Sequence, residues 1–424
     1  MKKALSFILA FLARKIISKY KPKIIGVTGS FGKSSVKETI FHILHISGKK
    51  VRRSKGSFNN EFGLPLAVID DFSHSGGAAF YLSAIIKGLS VWLFKNEYPQ
   101  ILVLEYGADK PNDIKYLASL IYPDIAVITG ISDVPAHVEF YPSPEAVADD
   151  AFDLIKSLPK KGIVILNADD ELTIKMADKT DNQILLYGFL PQSDFAISQF
   201  SHRLVGNTPL GIAFHLKTAQ ESTPVIINDV LGKGAAYSAA AASACASVFK
   251  INLNQAAKSM ASIKTIAGRA RIIEGVNDSW LIDDTYNSSP SAASEALAAL
   301  KSCPAKRKIA VLGGMMELGE YSDDAHDKLG REAVESADLI IGIGERGKRI
   351  ISAITENENE KETMWFTSSI TAAPEIKKLI KQGDLILVKG SQSVRTEHIV
   401  KALMKNPNMA SSLLVRQYGN WLKK

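Results

Sequence analysis

The run Thr28-Gly29-Ser30-Phe31-Gly32-Lys33-Ser34-Ser35 holds the residue types that close around a phosphate. Glycines let backbone N–H groups converge on phosphate oxygens, and the start of a following helix adds positive potential. Lys33 can then reach terminal phosphates and Ser34 can ligate magnesium. The general motif has a further glycine with four residues between it and Gly-Lys, a place held here by Val27. Glu105 closes the apolar run 101–105, and an acid at the carboxyl end of a parallel strand, facing a phosphate loop, is placed to organise magnesium. His137 and Glu139 follow another apolar run. A lone histidine is commonly structural and becomes a candidate metal ligand only in company.

For these residues to meet, the chain must build a sheet with loops at one edge. Residues 24–28 are apolar and are followed by the glycine turn and a helical pattern from 33 to 46. Apolar runs recur at 101–105, 125–129, 163–167 and 184–187 with helical stretches between several of them, which predicts a mainly parallel sheet covered by helices. Residues 194–230 alternate and predict a small antiparallel patch, and the Ala- and Ser-rich run 234–249 predicts a tightly packed helix. A second alternating series starts near Arg269, with strands expected at 279–283, 308–312, 339–343, 363–366 and 385–388. The polar, acidic stretch 356–362 reads as a solvated loop. The fold class is α/β: a P-loop nucleotide-binding central domain over 24–267 and a smaller Rossmann-like domain over 268–424.

Composition excludes several alternatives. The 424 residues are 46% hydrophobic and 22% charged, ordinary for a globular chain with two or three cores, and no repeat of solenoid or propeller length is present. Two cysteines exclude a disulfide framework and a four-cysteine zinc site, and point to a reduced cytosolic setting. The net charge of +7 is mild, and no nucleic-acid partner is expected. Part of it is concentrated in residues 1–23, which carry seven Lys and Arg and no acid. Their apolar run 4–13 is too short to span a bilayer, which needs about 20 residues. This segment reads as a basic amphipathic helix, packed on the protein or lying on a membrane surface.

The ordered blocks resemble the Mur ligases of peptidoglycan synthesis. They include the phosphate loop, Asn59-Asn60-Glu61-Phe62-Gly63-Leu64-Pro65-Leu66, Glu105-Tyr106-Gly107-Ala108, His137-Val138-Glu139 and Leu166-Asn167-Ala168-Asp169-Asp170. In the second domain they are Gly268-Arg269, Asp283-Asp284-Thr285-Tyr286-Asn287-Ser288-Ser289-Pro290, Gly313-Gly314-Met315-Met316-Glu317-Leu318-Gly319-Glu320 with His326, and Lys389-Gly390-Ser391. The second set resembles the branch of the family that adds D-alanyl-D-alanine to a UDP-muramoyl tripeptide. The resemblance implies an ATP- and magnesium-dependent ligase that phosphorylates a carboxylate and lets an amine attack the acyl phosphate. It implies that Thr28 to Ser35 hold phosphate, Ser34 and Glu105 one magnesium and His137 a second. By the same resemblance Asn167 sits near adenine, Arg269, Asp283, Tyr286 and Asn287 near the nucleotide from across a cleft, and Lys389 near the acyl phosphate or incoming dipeptide. Glu317 and His326 line the substrate side, or else pack between domains.

Three departures stand out. The family usually has a carbamylated lysine fourteen residues after the motif histidine; here that position is Ala151, and Asp149, Asp150 and Asp153 lie beside it. Asp150 is the candidate for the missing oxygen ligand, against a weakened or absent second metal site. The phosphate loop begins some twenty-five residues into the chain, where the family has a UDP-binding domain. The acceptor is therefore expected on the two remaining domains, on the apolar segment 72–98, which reads as a buried helix, or on a partner protein. Ser57 and Ser289 stand where the family often has Asn, and the helix after Gly232 lacks a usual His-Asn pair. Two rival readings stay open: another carboxylate–amine ligase of the Mur and folylpolyglutamate synthetase superfamily, and a nucleotide-binding scaffold without catalysis. A dinucleotide reading of Gly342-Ile343-Gly344-Glu345-Arg346-Gly347 rests on a weak pattern. The expected location is the cytoplasm, at the inner membrane face if the N-terminal helix lies there.

Overall fold

The computed structural model describes residues 2–56, 58–72, 74, 76–94, 97–356, 361–419 and 421. Ser57 and positions 357–360 of the acidic stretch lie outside the described residues. Nine strands form the larger sheet: β1 (Lys23–Thr28), β2 (Val51–Arg53), β3 (Ile101–Glu105), β4 (Ile125–Ile128), β5 (Ile163–Asn167), β6 (Gln183–Gly188), β7 (Phe195–Val205), β8 (Thr208–Lys217) and β9 (Ser222–Asn228). Their order is β2-β3-β1-β4-β5-β6-β7-β8-β9. The first six pair in parallel, β7 joins β6 through a short parallel ladder, and β7 to β9 then pair antiparallel with one another. The central strands are apolar along their middles because helices cover both faces, and turn polar at the ends that carry Thr28, Glu105 and Asn167. The register sets Val27 beside Glu105 and Thr28 beside Ile128, so the loop after β1 and the acid ending β3 share one edge.

The second sheet has the order β10-β11-β15-β12-β13-β14, from β10 (Arg271–Glu274), β11 (Trp280–Asp284), β12 (Arg307–Gly313), β13 (Leu339–Ile343), β14 (Glu362–Phe366) and β15 (Asp384–Lys389). Only β10 runs antiparallel, and the β11–β15 ladder puts Asp284 beside Lys389. The Gly342 to Gly347 pattern serves close packing: a Cβ on Gly342 would lie 2.3 Å from the Gly347 carbonyl oxygen, so the helix Gly344–Thr355 rides directly on β13.

The N-terminal helix Lys2–Tyr20 buries Leu9, Leu12, Ala13 and Ile16 against the helices Gly63–Ile69 and Gly77–Leu93. Arg14 Nε donates to the Leu120 carbonyl at 3.1 Å and Lys19 Nζ to that of Trp92 at 2.8 Å. The helix is thus part of the central domain's core. The expectation that segment 72–98 forms a buried helix is corrected in part. Helix Gly77–Leu93 forms, but only Ala84, Gly88 and Val91 are buried, since the neighbouring helices cover just that side. No helix among the described residues is long and apolar enough to cross a membrane.

Candidate functional site

The turn after β1 is shaped by its glycines. Gly29 (φ +136°) and Gly32 (φ +80°) adopt backbone conformations that favour glycine, and a Cβ on Gly29 would fall 2.3 Å from Thr129 Oγ1. The loop is pinned from β4 by Ser30 N–H donating to the Gly130 carbonyl at 2.7 Å and by Thr129 Oγ1 donating to the Phe31 carbonyl. Lys33 opens the helix Lys33–Ile46, and its ammonium folds back onto the carbonyls of Gly29 and Ser30. Burial lowers the Lys33 pKa, and Glu105 opposes that shift.

Glu105 is buried and fully engaged. Ser34 Oγ donates to Oε2 at 3.0 Å, Lys37 Nζ lies 3.1 Å from the same oxygen, and Asn59 Nδ2 is 3.4 Å from Oε1. Burial pushes its carboxyl up, yet Lys37 and Lys33 together with the Ser34 hydrogen bond hold it below the ordinary range. Lys37, itself buried, was not singled out from sequence. Its signal was the spacing: four residues after Lys33, it lies on the same side of the helix.

A small pocket beside the loop is walled by Thr28, Gly29, Ser30, Lys33, Ala108, His137, Tyr141 and Ala151. His137, at φ +65°, places Nδ1 2.5 Å from Glu317 Oε2 of the second domain. Asp150 is not among the pocket walls. It comes one residue before Ala151, which faces the pocket from the helix Pro144–Lys156, and its carboxylate accepts from the Tyr141 hydroxyl at 3.0 Å. Burial raises the Asp150 pKa to about 6. The flanking acids are engaged too, Asp149 with Lys179 at 3.1 Å and Asp153 with Lys156 at 2.7 Å. Among the described residues no group of three or more His, Cys, Asp or Glu side chains is arranged to hold a metal ion.

On its other side the loop opens into the main cleft, between the two domains. Phe31, Gly32, Ser35, Asn167, Tyr237, Arg269, Asp284, Glu295 and Lys389 line it. Asn167 donates to the Thr129 carbonyl at 3.1 Å, so β5 and the loop are braced together. Arg269 stacks its guanidinium 4.1 Å from the Tyr286 ring centroid. Lys389 Nζ is 2.6 Å from Asp284 Oδ2 and donates to the Asn287 carbonyl at 3.0 Å. Asp283 does not face the cleft. Side chains alternate along β11, and its carboxylate turns inward to accept from Gly268 N–H at 3.0 Å and Thr285 Oγ1 at 2.6 Å. The cleft-facing acid is its neighbour Asp284. Glu295 is a second acid the sequence reading passed over, raised to about 7 by burial and by Asp284. His326 is fully buried, accepts from Met315 N–H at 2.9 Å and contacts the Ser322 carbonyl, which is the packing alternative for that residue.

A phosphate loop at the edge of a parallel sheet, facing a second α/β domain across a cleft that both line, defines a two-domain nucleotide-binding protein of the P-loop type. Residues 27–246 match the family described as Mur ligase middle domain, and residues 268–392 the one described as Mur ligase, glutamate ligase domain. The chain belongs to the Mur ligase family. It is 28% identical over 398 residues to the UDP-N-acetylmuramoyl-tripeptide–D-alanyl-D-alanine ligase of Bacillus subtilis, covering 93% of this chain and 79% of that protein. The crystal structure of the MurF ligase of Thermotoga maritima in complex with ADP superposes with a TM-score of 0.77 at 25% identity, covering 94% of this chain and 83% of that one. A MurF structure from Acinetobacter baumannii, 23% identical, shares the fold with a TM-score of 0.78 and covers 95% of this chain and 80% of that one.

Proposed function

We propose that the protein is an ATP-dependent, ADP-forming peptide ligase that joins D-alanyl-D-alanine to a UDP-N-acetylmuramoyl tripeptide in the cytoplasm. The observation that carries this reading is one cleft in which the phosphate loop and Asn167 face Arg269, Asp284 and Lys389. In the first step an oxygen of the tripeptide carboxylate attacks the γ-phosphorus of ATP, forming an acyl phosphate and releasing ADP. In the second the dipeptide amine attacks the acyl carbon, and the tetrahedral intermediate expels inorganic phosphate as the nitrogen gives up a proton. Lys33, released from the loop carbonyls, meets the charge on the transferring phosphoryl group, while the loop N–H groups position it. Lys389, steadied by Asp284 and the Asn287 carbonyl, offers positive charge from the other domain.

The hydroxyl of Ser34 and the carboxylate of Glu105, 3.0 Å apart, suit magnesium, which keeps several waters and takes one or two protein oxygens. When bound there, it would offset charge on the phosphates. The donor set around His137 does not suit the second magnesium that the family resemblance implies, because Ala151 supplies no oxygen and Asp150 faces Tyr141. We propose in addition that the basic N-terminal helix contacts the inner membrane face and that a partner protein helps to grip the UDP-sugar.

The test is ADP release from ATP with magnesium, UDP-muramoyl tripeptide and D-alanyl-D-alanine, with mass spectrometry of the product and omission of each substrate in turn. A product heavier by the dipeptide, absent from every omission, is expected. ATP binding without product would favour the scaffold reading, which Ala151 motivates. ADP release driven by a different carboxylate or amine would favour a sister ligase.

A further inference from the structure

The N-terminal helix and the helix Gly77–Leu93 lie side by side, and each turns a second stripe away from the protein. On the first it consists of Phe7, Ile8 and Phe11, exposed by 71%, 41% and 43%. On the second Leu82, Ile86, Leu89 and Leu93 recur at helical spacing, exposed by 60%, 59%, 38% and 62%. Phe11 meets Trp92 edge to face with centroids 6.0 Å apart, and Lys15 Nζ sits over both rings, so the stripes join. Scattered exposed apolar side chains are ordinary, but a continuous band over two packed helices marks an interaction surface.

The charge carried by the two helices has one sign. Residues 1–23 carry seven Lys and Arg and no acid, and residues 77–94 carry Lys87 and no acid. Lys3 and Lys15 border the band in the open, while Arg14 is turned to the carbonyls of Ser119 and Leu120 and Lys87 is paired with Asp70. Apolar side chains flanked by bases fit an anionic bilayer surface, where the former sink below the headgroups and the latter meet phosphates. A second copy would bring the same positive charge and so is disfavoured as an occupant.

We propose that this two-helix face docks the protein reversibly on a membrane rich in anionic phospholipid. The proposal deepens the membrane contact included in the functional reading and is independent of the ligase chemistry, since other elements build the cleft. Deleting the N-terminal helix is not a usable test, because Leu9, Leu12, Ala13 and Ile16 belong to the core. The experiment is co-sedimentation of the full chain with vesicles of phosphatidylcholine alone or mixed with phosphatidylglycerol, at low and high salt. The wild type is expected to pellet with the anionic vesicles and to release with salt. The paired substitution Leu82→Ser with Ile86→Ser is expected to weaken binding by at least about tenfold, and Lys3→Glu with Lys15→Glu to remove the preference for the anionic lipid. Both variants should keep the wild-type thermal melt and turnover. A wild type that stays in the supernatant, or variants that bind as it does, would overturn the proposal. So would a dimer in analytical ultracentrifugation that Leu82→Ser with Ile86→Ser dissolves while vesicles leave it untouched. Vesicle binding without ligase turnover would sink the ligase reading and leave this one standing.

Discussion

Glu105 is the residue on which the site's electrostatics turn. Burial opposes its ionisation, but Lys37 and Lys33 reverse that, so it carries charge at neutral pH and is ready to share a cation with Ser34. Lys37 therefore does more than fill space, although the helix buries it almost completely. Lys37→Met should lower stability in urea melts by about 3 kcal/mol, the low end for breaking a buried pair, because Ser34 and Asn59 still donate. The same change raises the Glu105 pKa, so the acid limb of the pH–activity profile should move to higher pH. An unmoved limb would mean that Glu105 does not titrate in the active protein.

The helix Pro144–Lys156 shows how much depends on which side of an element a residue occupies. Asp150 and Ala151 are neighbours in sequence, yet only Ala151 reaches the pocket beside His137. Asp150 is instead a buried acid bonded to Tyr141, with its pKa raised to about 6. Between about pH 4 and 6 the folded chain holds a proton there that the unfolded chain has lost. Its contribution to stability therefore declines as pH rises through that window and is at its least favourable above it. Asp150→Asn, which keeps an acceptor for Tyr141, should melt higher than the wild type at pH 7.5 and alike at pH 4, with magnesium dependence of turnover unchanged. A raised magnesium requirement in that variant would restore Asp150 as a ligand.

The two domains touch where the small pocket opens. Glu317 reaches His137 with its side chain, and its carbonyl accepts from Glu139 N–H at 3.3 Å. Close by, Gly319 (φ +53°) leaves no room for a side chain, since a Cβ there would lie 2.9 Å from the Glu139 Cβ. Gly319→Val should hold the domains apart while each keeps its own core. Small-angle scattering would report a longer molecule, and turnover should fall by about a hundredfold, the cost of an ångström of misplacement at the cleft. Turnover equal to wild type would show that this contact does not set the productive closure.

Much of this could be read without coordinates. The phosphate loop announced itself through glycines, lysine and serine at fixed spacing, and the central strands through apolar runs, because burial on both faces leaves polar positions only at their ends. The short edge strands β2 and β10 gave no such signal, since two of the three residues in Val51-Arg52-Arg53 and two of the four in Arg271-Ile272-Ile273-Glu274 are charged. Which acid of a pair faces the cleft was equally illegible. Asp283 and Asp284 are one residue apart, and only the register of β11 against β15 turns Asp284 toward Lys389. Local spacing encodes a loop's chemistry because its partners are near in sequence. The face a side chain presents, and the partner it meets from another domain, depend on ladders and helix contacts between segments a hundred or more residues apart.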